Sequence, residues 1–188
     1  MAVSNPERLL DAALHAITTF KNWRAVLDGL PAPIYVTDAD GAVSYWNSAC
    51  IELAGRVPQL GQDRWCVTWQ LYSTSGEFMR HDECPMAKAI RGRHLIRDQV
   101  AIALRPDGSR VAFRAYPTPL FDSKGEVTGA INMLVDISSE QVGALKDEAR
   151  RCRRLADATF NREVSEMLDN MADGYERTAG ELAKNRKS

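Results

Sequence analysis

The sequence predicts an α+β fold: a five-stranded antiparallel sheet with short helices on one face, an amphipathic helix before it and a long helix after it. Three turns carry this expectation. Asp40-Gly41 and Asp107-Gly108 each sit inside a run of strand-forming residues, and Lys124-Gly125 closes a third such run. Glycine supplies the positive φ that a tight hairpin needs, because it has no Cβ to clash there. Flanked by Val, Ile, Tyr and Phe, the turns read as β-hairpins. An opening hairpin, a helical middle and a closing three-strand meander then share one sheet.

Before the first hairpin, Pro6 opens a helix with Asn5 as its N-cap. Leu10, Leu14 and Ile17 fall at i, i+4 and i+7, widened by Leu9, Ala13, Phe20 and Val26, and Asp28-Gly29 with Pro31 ends the pattern by Leu30. That stripe must be buried on the sheet's outer face or on a second copy of the chain. The first two strands span 34–37 and 43–46. Asn47 and Ser48 offer side-chain oxygens to cap a short helix over 49–54, stopped by Gly55. Residues 56–83 are irregular, with Trp65, Trp69 and Tyr72 among Gly, Pro and Ser, and read as loops and short helices. Pro85 starts another short helix over 85–91, ended by Gly92.

Three long strands follow. Val100, Ile102 and Leu104 alternate on one face, as do Val111, Phe113 and Ala115, and Ile131, Met133 and Val135. Pro117 and Pro119 fit only where a strand leaves the ladder or lies at an edge. After Ser138 the pattern is helical: Val142, Leu145, Ala149, Cys152, Ala156 and Thr159 repeat at heptad spacing. Phe160, Val164, Met167 and Met171 carry the stripe onto a shifted seam, and Gly174 and Gly180 favour a frayed end. A continuous helix over 138–172 measures about 50 Å at the standard rise. Such a rod needs a partner helix. The organisation is therefore an N-terminal helix (1–30), a sheet domain (31–138) and a C-terminal helix (139–188).

Composition narrows the function classes. Of the 188 residues, 45% are hydrophobic and 26% charged, as in a soluble globular protein. A net charge of −1 argues against whole-surface affinity for nucleic acid or anionic membrane. No apolar run approaches the roughly 20 residues of a membrane helix. Residues 1–6 lack the basic start and apolar core of a secretory signal, so the expected location is cytoplasmic. Cys50, Cys66, Cys84 and Cys152 are scattered and read as reduced thiols. Cys84 with His81 is short of the four convergent ligands of a structural zinc site. Arg150, Arg151, Arg153 and Arg154 spread over more than one helical face among Asp147, Glu148 and Asp157, the pattern of a solvated face.

Several motifs in order resemble the PAS sensor family over about residues 27–140. LDGLPAPIYVTD (27–38) is similar to its first strand and lead-in, and YWNSA (45–49) to its strand followed by Asn-x-Ala. RPDGSR (105–110) matches its central hairpin. Asp136-Ile137-Ser138 stands where the family often has Asp-Ile-Thr, the link from the last strand to a signalling helix. HDECPMAKAIRGR (81–93) is similar to a subgroup found in bacterial sensor histidine kinases. The resemblance implies a ligand cavity between the inner sheet face and the helix opened by Cys84-Pro85, with Trp46, Cys84, Met86, Ile90, Ile102, Leu104, Phe113, Ile131 and Met133 as candidate lining. It also implies a relay through Asp136, Ile137 and Ser138. The same apolar residues could equally fill an ordinary core, each contributing about 1.5–3 kcal/mol without any ligand.

Cofactor signatures are weak. Haem-binding members carry a His on the helix before the long strands, and here His81 precedes that helix and His94 follows it. Cys84-Pro85 resembles a haem-regulatory pair, which leaves a haem or thiol-based redox or gas sensor as the rival reading. The Asn-Cys-Arg-Phe-Leu-Gln signature of flavin-binding LOV members is absent. No nucleophile elbow, phosphate-cradling loop or metalloprotease helix occurs, so no enzyme activity is expected. The expected partners are a second copy, through Leu10, Leu14, Ile17, Val142 and Leu145, a small-molecule ligand, and a separate histidine kinase or response regulator. A ligand-free adaptor is the third reading.

Overall fold

The computed structural model describes residues 6–184, so the expected Asn5 cap lies outside the described residues. Helix α1 (Pro6–Thr19) leads to α2 (Trp23–Asp28). The single helix expected up to Leu30 is thus split at 20–22. There Thr18 Oγ1 donates back to the Leu14 carbonyl (3.0 Å), and Asn22 precedes the second helix. Strands β1 (Ile34–Asp38) and β2 (Val43–Trp46), helix α3 (Ser48–Ala54), and strands β3 (Gln70–Tyr72) and β4 (Phe78–Met79) follow. A 3-10 turn (His81–Glu83) then precedes α4 (Pro85–Gly92), β5 (Gln99–Leu104), β6 (Arg110–Ala115), β7 (Thr118–Phe121) and β8 (Val127–Asp136), and the chain ends in α5 (Ser138–Ala158) and α6 (Arg162–Lys184).

One antiparallel sheet runs in the order β2-β1-β8-β6-β5-β3-β4, with β7 also paired to β8. The five expected strands, β2, β1, β8, β6 and β5, lie side by side in it, with β2 at one edge. Two short strands, β3 and β4, extend the β5 edge within a stretch read from sequence as loops and short helices. Pro117 interrupts the ladder between β6 and β7, as a residue without an N–H must. β7, with Pro119, therefore pairs β8 alone. Gly129 lies where β8 meets β1: a Cβ there would stand 2.1 Å from the Thr37 carbonyl oxygen.

Both sheet faces are covered, which the alternation pattern does not distinguish. On the inner face, Tyr35, Val43, Ala101, Ala103, Val111, Phe113 and Leu134 pack against Cys50 and Leu53 of α3, the loop residues Cys66 and Val67, and Met86, Ala87 and Ile90 of α4. On the outer face, α1 and α2 bring Leu10, Ala13, Ala16 and Leu27 onto Ile34, Val36, Ile131 and Met133. The other half of that face is capped by Leu145, Ala179 and Leu182 over Ile102, Ala112 and Ile137.

The continuous rod expected over 138–172 does not form. The chain leaves the helical conformation at Thr159, and Asn161 caps a new helix, its Oδ1 accepting the Val164 N–H (3.2 Å). α6 then folds back on α5 as a hairpin. Small residues let the two approach closely: Ala149 and Cys152 meet Ala172. Arg153 spans the seam to Asp169 (3.1 Å), Asp173 and Glu176, and Arg110 of β6 reaches Glu181 of α6 (2.9 Å). The partner helix that the stripe requires comes from the same chain. Leu10 and Leu145, expected at a dimer contact, are 1% and 2% exposed within one chain, and Leu14, Ile17 and Val142 are partly buried beside them.

Candidate functional site

Of the expected cavity residues, Cys84, Met86, Ile90 and Phe113 share the inner-face cluster, and Trp46 packs against it half-buried. Ile102 does not join them: it points to the outer face beneath α5 and α6. Leu104, two residues on, is half-buried and shares the Ile102 side by alternation. Ile131 and Met133 are also on the outer face, under α1. The inner face is filled by Tyr35, Phe113, Leu71, Met86 and Leu134, each under 2% exposed.

A polar string crosses this apolar interior. Asn132 of β8 donates from Nδ2 to the Tyr35 hydroxyl (3.0 Å), and the hydroxyl donates to the Trp65 carbonyl (3.0 Å). Asn132 Oδ1 accepts the Tyr116 N–H (3.0 Å), and the Cys84 thiol lies 3.6 Å from the same Trp65 carbonyl. Satisfying each group inside the core fixes one arrangement of β1, β8 and the Trp65 loop. Burial pushes the Cys84 and Cys50 thiols up to about 12 and raises Cys66 and Tyr35, so all four stay protonated at neutral pH. A thiol held that way is a poor nucleophile and a poor metal ligand. Among the described residues no three His, Cys, Asp or Glu side chains converge to hold a metal ion.

Asn47 does more than begin α3. Its side chain makes no cap bond there. Instead Oδ1 accepts the Ile34 N–H (3.0 Å), and Nδ2 donates to the carbonyls of Leu27 (3.1 Å) and Ala32 (2.8 Å). The lead-in to β1 is thereby tied to the end of β2.

On the rim of the inner face, residues 62–65 and 78–82 enclose an open cleft of about 480 Å³, lined by Gln62, Asp63, Arg64, Trp65, Phe78, Arg80, His81 and Asp82. Trp65 takes a left-handed backbone (φ 68°) and lays its ring on Gly41, where a Cβ would fall 2.3 Å from the indole. An L-residue bearing a large ring is strained in that conformation. Asp63 is held by Arg56 through both oxygens (3.0 and 2.8 Å). His81 Nε2 is buried with no hydrogen-bond partner among the described residues, and burial lowers the pKa of the ring. Sequence reading missed Asn132, whose signal is a polar side chain within the apolar run 129–135 of β8. Tyr35 and Arg64 carried no comparable sequence signal.

At the far end of β8, the expected relay residues form a clasp. Ile137 N donates to the Ala112 carbonyl (2.9 Å), Ala112 N donates to Ser138 Oγ (3.0 Å), and Ser138 N donates to Asp136 Oδ1 (2.8 Å). Ala112 of β6 thus grips both ends of the turn into α5. Its neighbour Phe113 faces the inner core and pairs in register with Asp136.

A family model described as the PAS fold matches residues 27–142. Among solved structures, the chain is similar to the PAS domain of the fruit-fly ELK potassium channel at 16% identity, covering 66% of this chain and 96% of that one (TM-score 0.49). It is similar to an RNA-binding Light-Oxygen-Voltage receptor at 21% identity, covering 77% of this chain but only 39% of that one (TM-score 0.51). The PAS domain of Bordetella pertussis BvgS is 25% identical, with 66% and 91% covered (TM-score 0.43). No curated protein matches. The family match spans more than half of the chain and includes both the inner-face helices and the clasp into α5: the chain belongs to the PAS fold family, whose members are sensory modules of signal transduction.

Proposed function

We propose that the chain relays a signal from its sheet to its C-terminal helices, and that a separate protein reads those helices out. The observation that carries this reading is the Asp136-Ile137-Ser138 clasp. Phe113 sits in the inner core, its neighbour Ala112 holds the clasp, and the clasp begins α5. Any ligand or contact that shifts β6 against β8 therefore shifts the origin of the helical hairpin. The output is a change in how the hairpin lies, and no catalysis is assigned to the chain itself.

The hairpin has a surface suited to a partner. Val164, Met167 and Met171 are exposed at i, i+3 and i+7 in the first half of α6, and Phe160 (107% exposed) stands in the linker before it. This heptad-spaced stripe is where a second copy, a histidine kinase or a response regulator would dock. It takes over the role expected of Leu10 and Leu145, which are already buried in their own chain. Four buried free thiols favour a reducing, cytoplasmic setting. No described helix is long and apolar enough to cross a membrane.

The filled inner face favours the ligand-free adaptor as a second reading, because Tyr35, Phe113 and Met86 take up the space a buried cofactor would need. The haem or thiol-sensor reading loses ground, because burial keeps Cys84 protonated.

The relay is tested by Ser138→Ala. It leaves the Ala112 N–H without its acceptor, a loss of about 1–3 kcal/mol at that point. Hydrogen exchange should accelerate in α5 and α6 while β1 and β2 keep their protection. Unchanged exchange in the hairpin would sever the clasp from the output.

A further inference from the structure

The tip of the helical hairpin gathers exposed apolar side chains. Leu155 near the end of α5, Phe160 in the linker, and Val164, Met167 and Met171 of α6 all lie open to solvent. Among the described residues, the other exposed large hydrophobics are scattered between Phe20 and Phe121. Scattered single side chains are ordinary on a monomer, whereas a concentrated patch marks an interaction surface.

The patch continues a contact the chain has already made. Met171, Thr178 and Leu182 follow at i, i+7 and i+11 and so share one face of α6. Leu182 packs with Ile102 and Ala112, and a Cβ at Gly76, between β3 and β4, would stand 3.5 Å from Thr178 Oγ1. The sheet therefore covers this face from Thr178 onward. Ahead of Thr178 the hairpin overhangs the sheet, and Val164, Met167 and Met171 on that face are 37%, 54% and 43% exposed. The bare length from Val164 to Met171 is about 10 Å at the helical rise.

We propose that this overhang is covered by the overhang of a second copy, the two α6 helices lying antiparallel about a two-fold axis. In that order the stripe is complementary to itself. Val164 meets the partner's Met167 and Met171 meets the partner's Phe160, so each large apolar member has a counterpart. Glu163 and Asn170, at i−4 and i+3 from Met167, border the stripe and face one another across the axis. No like charges are thereby opposed at the border, and a net charge of −1 leaves little long-range repulsion between copies. A parallel pair is sterically barred, because the sheet projects from the same face at Thr178 and two sheets would collide. Antiparallel order sends the sheets to opposite ends, and each tip fills the length the other sheet leaves bare. The inference rests on the reading of the hairpin as the output and names what lies on its tip.

The experiment is sedimentation and light scattering of the full chain over about 1 μM to 1 mM, the range a contact this small implies. Mass should rise from monomer to dimer, and Met167→Glu should weaken association at least tenfold. Its circular dichroism should match that of the parent, because Met167 is exposed in the single chain. Orientation is read by mixing Val164→Cys and Met167→Cys chains, whose natural thiols are buried. The two should cross-link to each other at least threefold faster than either does to itself. A chain that stays monomeric throughout, a dimer untouched by Met167→Glu, or faster self-linking overturns the proposal, as does a stripe covered only after a separate kinase or regulator is added. The relay is judged apart: the dimer as described, with exchange in α5 and α6 unmoved by Ser138→Ala, keeps the interface and removes the relay.

Discussion

Phe113→Ala should lower the unfolding free energy by about 3–5 kcal/mol, read as the shift in a urea transition followed by tryptophan fluorescence. Phe113 is 1% exposed and sits among Met86, Ile90, Leu134 and Tyr35 between sheet and helices. Truncation removes the transfer free energy of the ring and leaves a void between the sheet and the inner-face helices that the paired strands cannot close. The size of the loss decides whether the inner face is a packed core or an open chamber. A cost below about 1 kcal/mol would mean that the ring already borders empty space, and the filled-interior account would fail. The same variant bears on the relay, because Phe113 pairs with Asp136 at the base of the clasp. Its effect should extend into hydrogen exchange at the start of α5.

Leu145→Glu should release the helical hairpin from the sheet. Leu145 is 2% exposed and packs with Ala179 and Leu182 over Ile102 and Ala112. The substitution forfeits about 1.5–3 kcal/mol of burial. An unpaired carboxylate in that contact adds a desolvation cost of several kcal/mol, which the chain avoids by undocking. Amide protection in α5 and α6 should collapse, with a fall in helical circular dichroism, while the inner-face core persists. Arg153 and its acidic partners, all solvent-exposed, do not hold the hairpin without the apolar contact. Retained protection throughout α6 would show that the hairpin is held by something other than this core.

The hairpins were legible because Asp40-Gly41, Asp107-Gly108 and Lys124-Gly125 specify their turns locally, and all three sit at positive φ on glycine. The residues of the clasp were legible through the family resemblance; the bond from Ser138 N to Asp136 Oδ1 is local, but Ser138 Oγ and Ile137 N reach Ala112 across the sheet. The facing of the sheet was not. Strands β1 and β8 are buried on both sides, so alternation sorts Ile131 and Met133 from Ala130 and Leu134 without saying which set is inside. Here the larger members of β8 face α1, and Ile102 faces α5 and α6.

The helix break was half visible. The apolar stripe changes seam between Thr159 and Phe160, and Asn161 is a good N-cap, but a shifted seam also suits a bent rod. Only tertiary packing of Ala149, Cys152 and Ala172 distinguishes the two. The cleft was invisible in sequence because one wall is a loop bridged to Ala42 at Arg64 and the other begins at β4, a strand too short to show a period.

The most direct measurement concerns the folded-back hairpin, since the clasp has an output to move only if α6 rests on α5 and the sheet. Cys152 and Ala172 share one buried cluster. Ala172→Cys, oxidised mildly at low protein concentration, should form a disulfide with Cys152 inside a single chain, seen as a faster monomer band on non-reducing electrophoresis. Cross-links appearing only between chains, or none at all under conditions that oxidise exposed thiols, would show that α5 and α6 extend as a rod and would contradict the account.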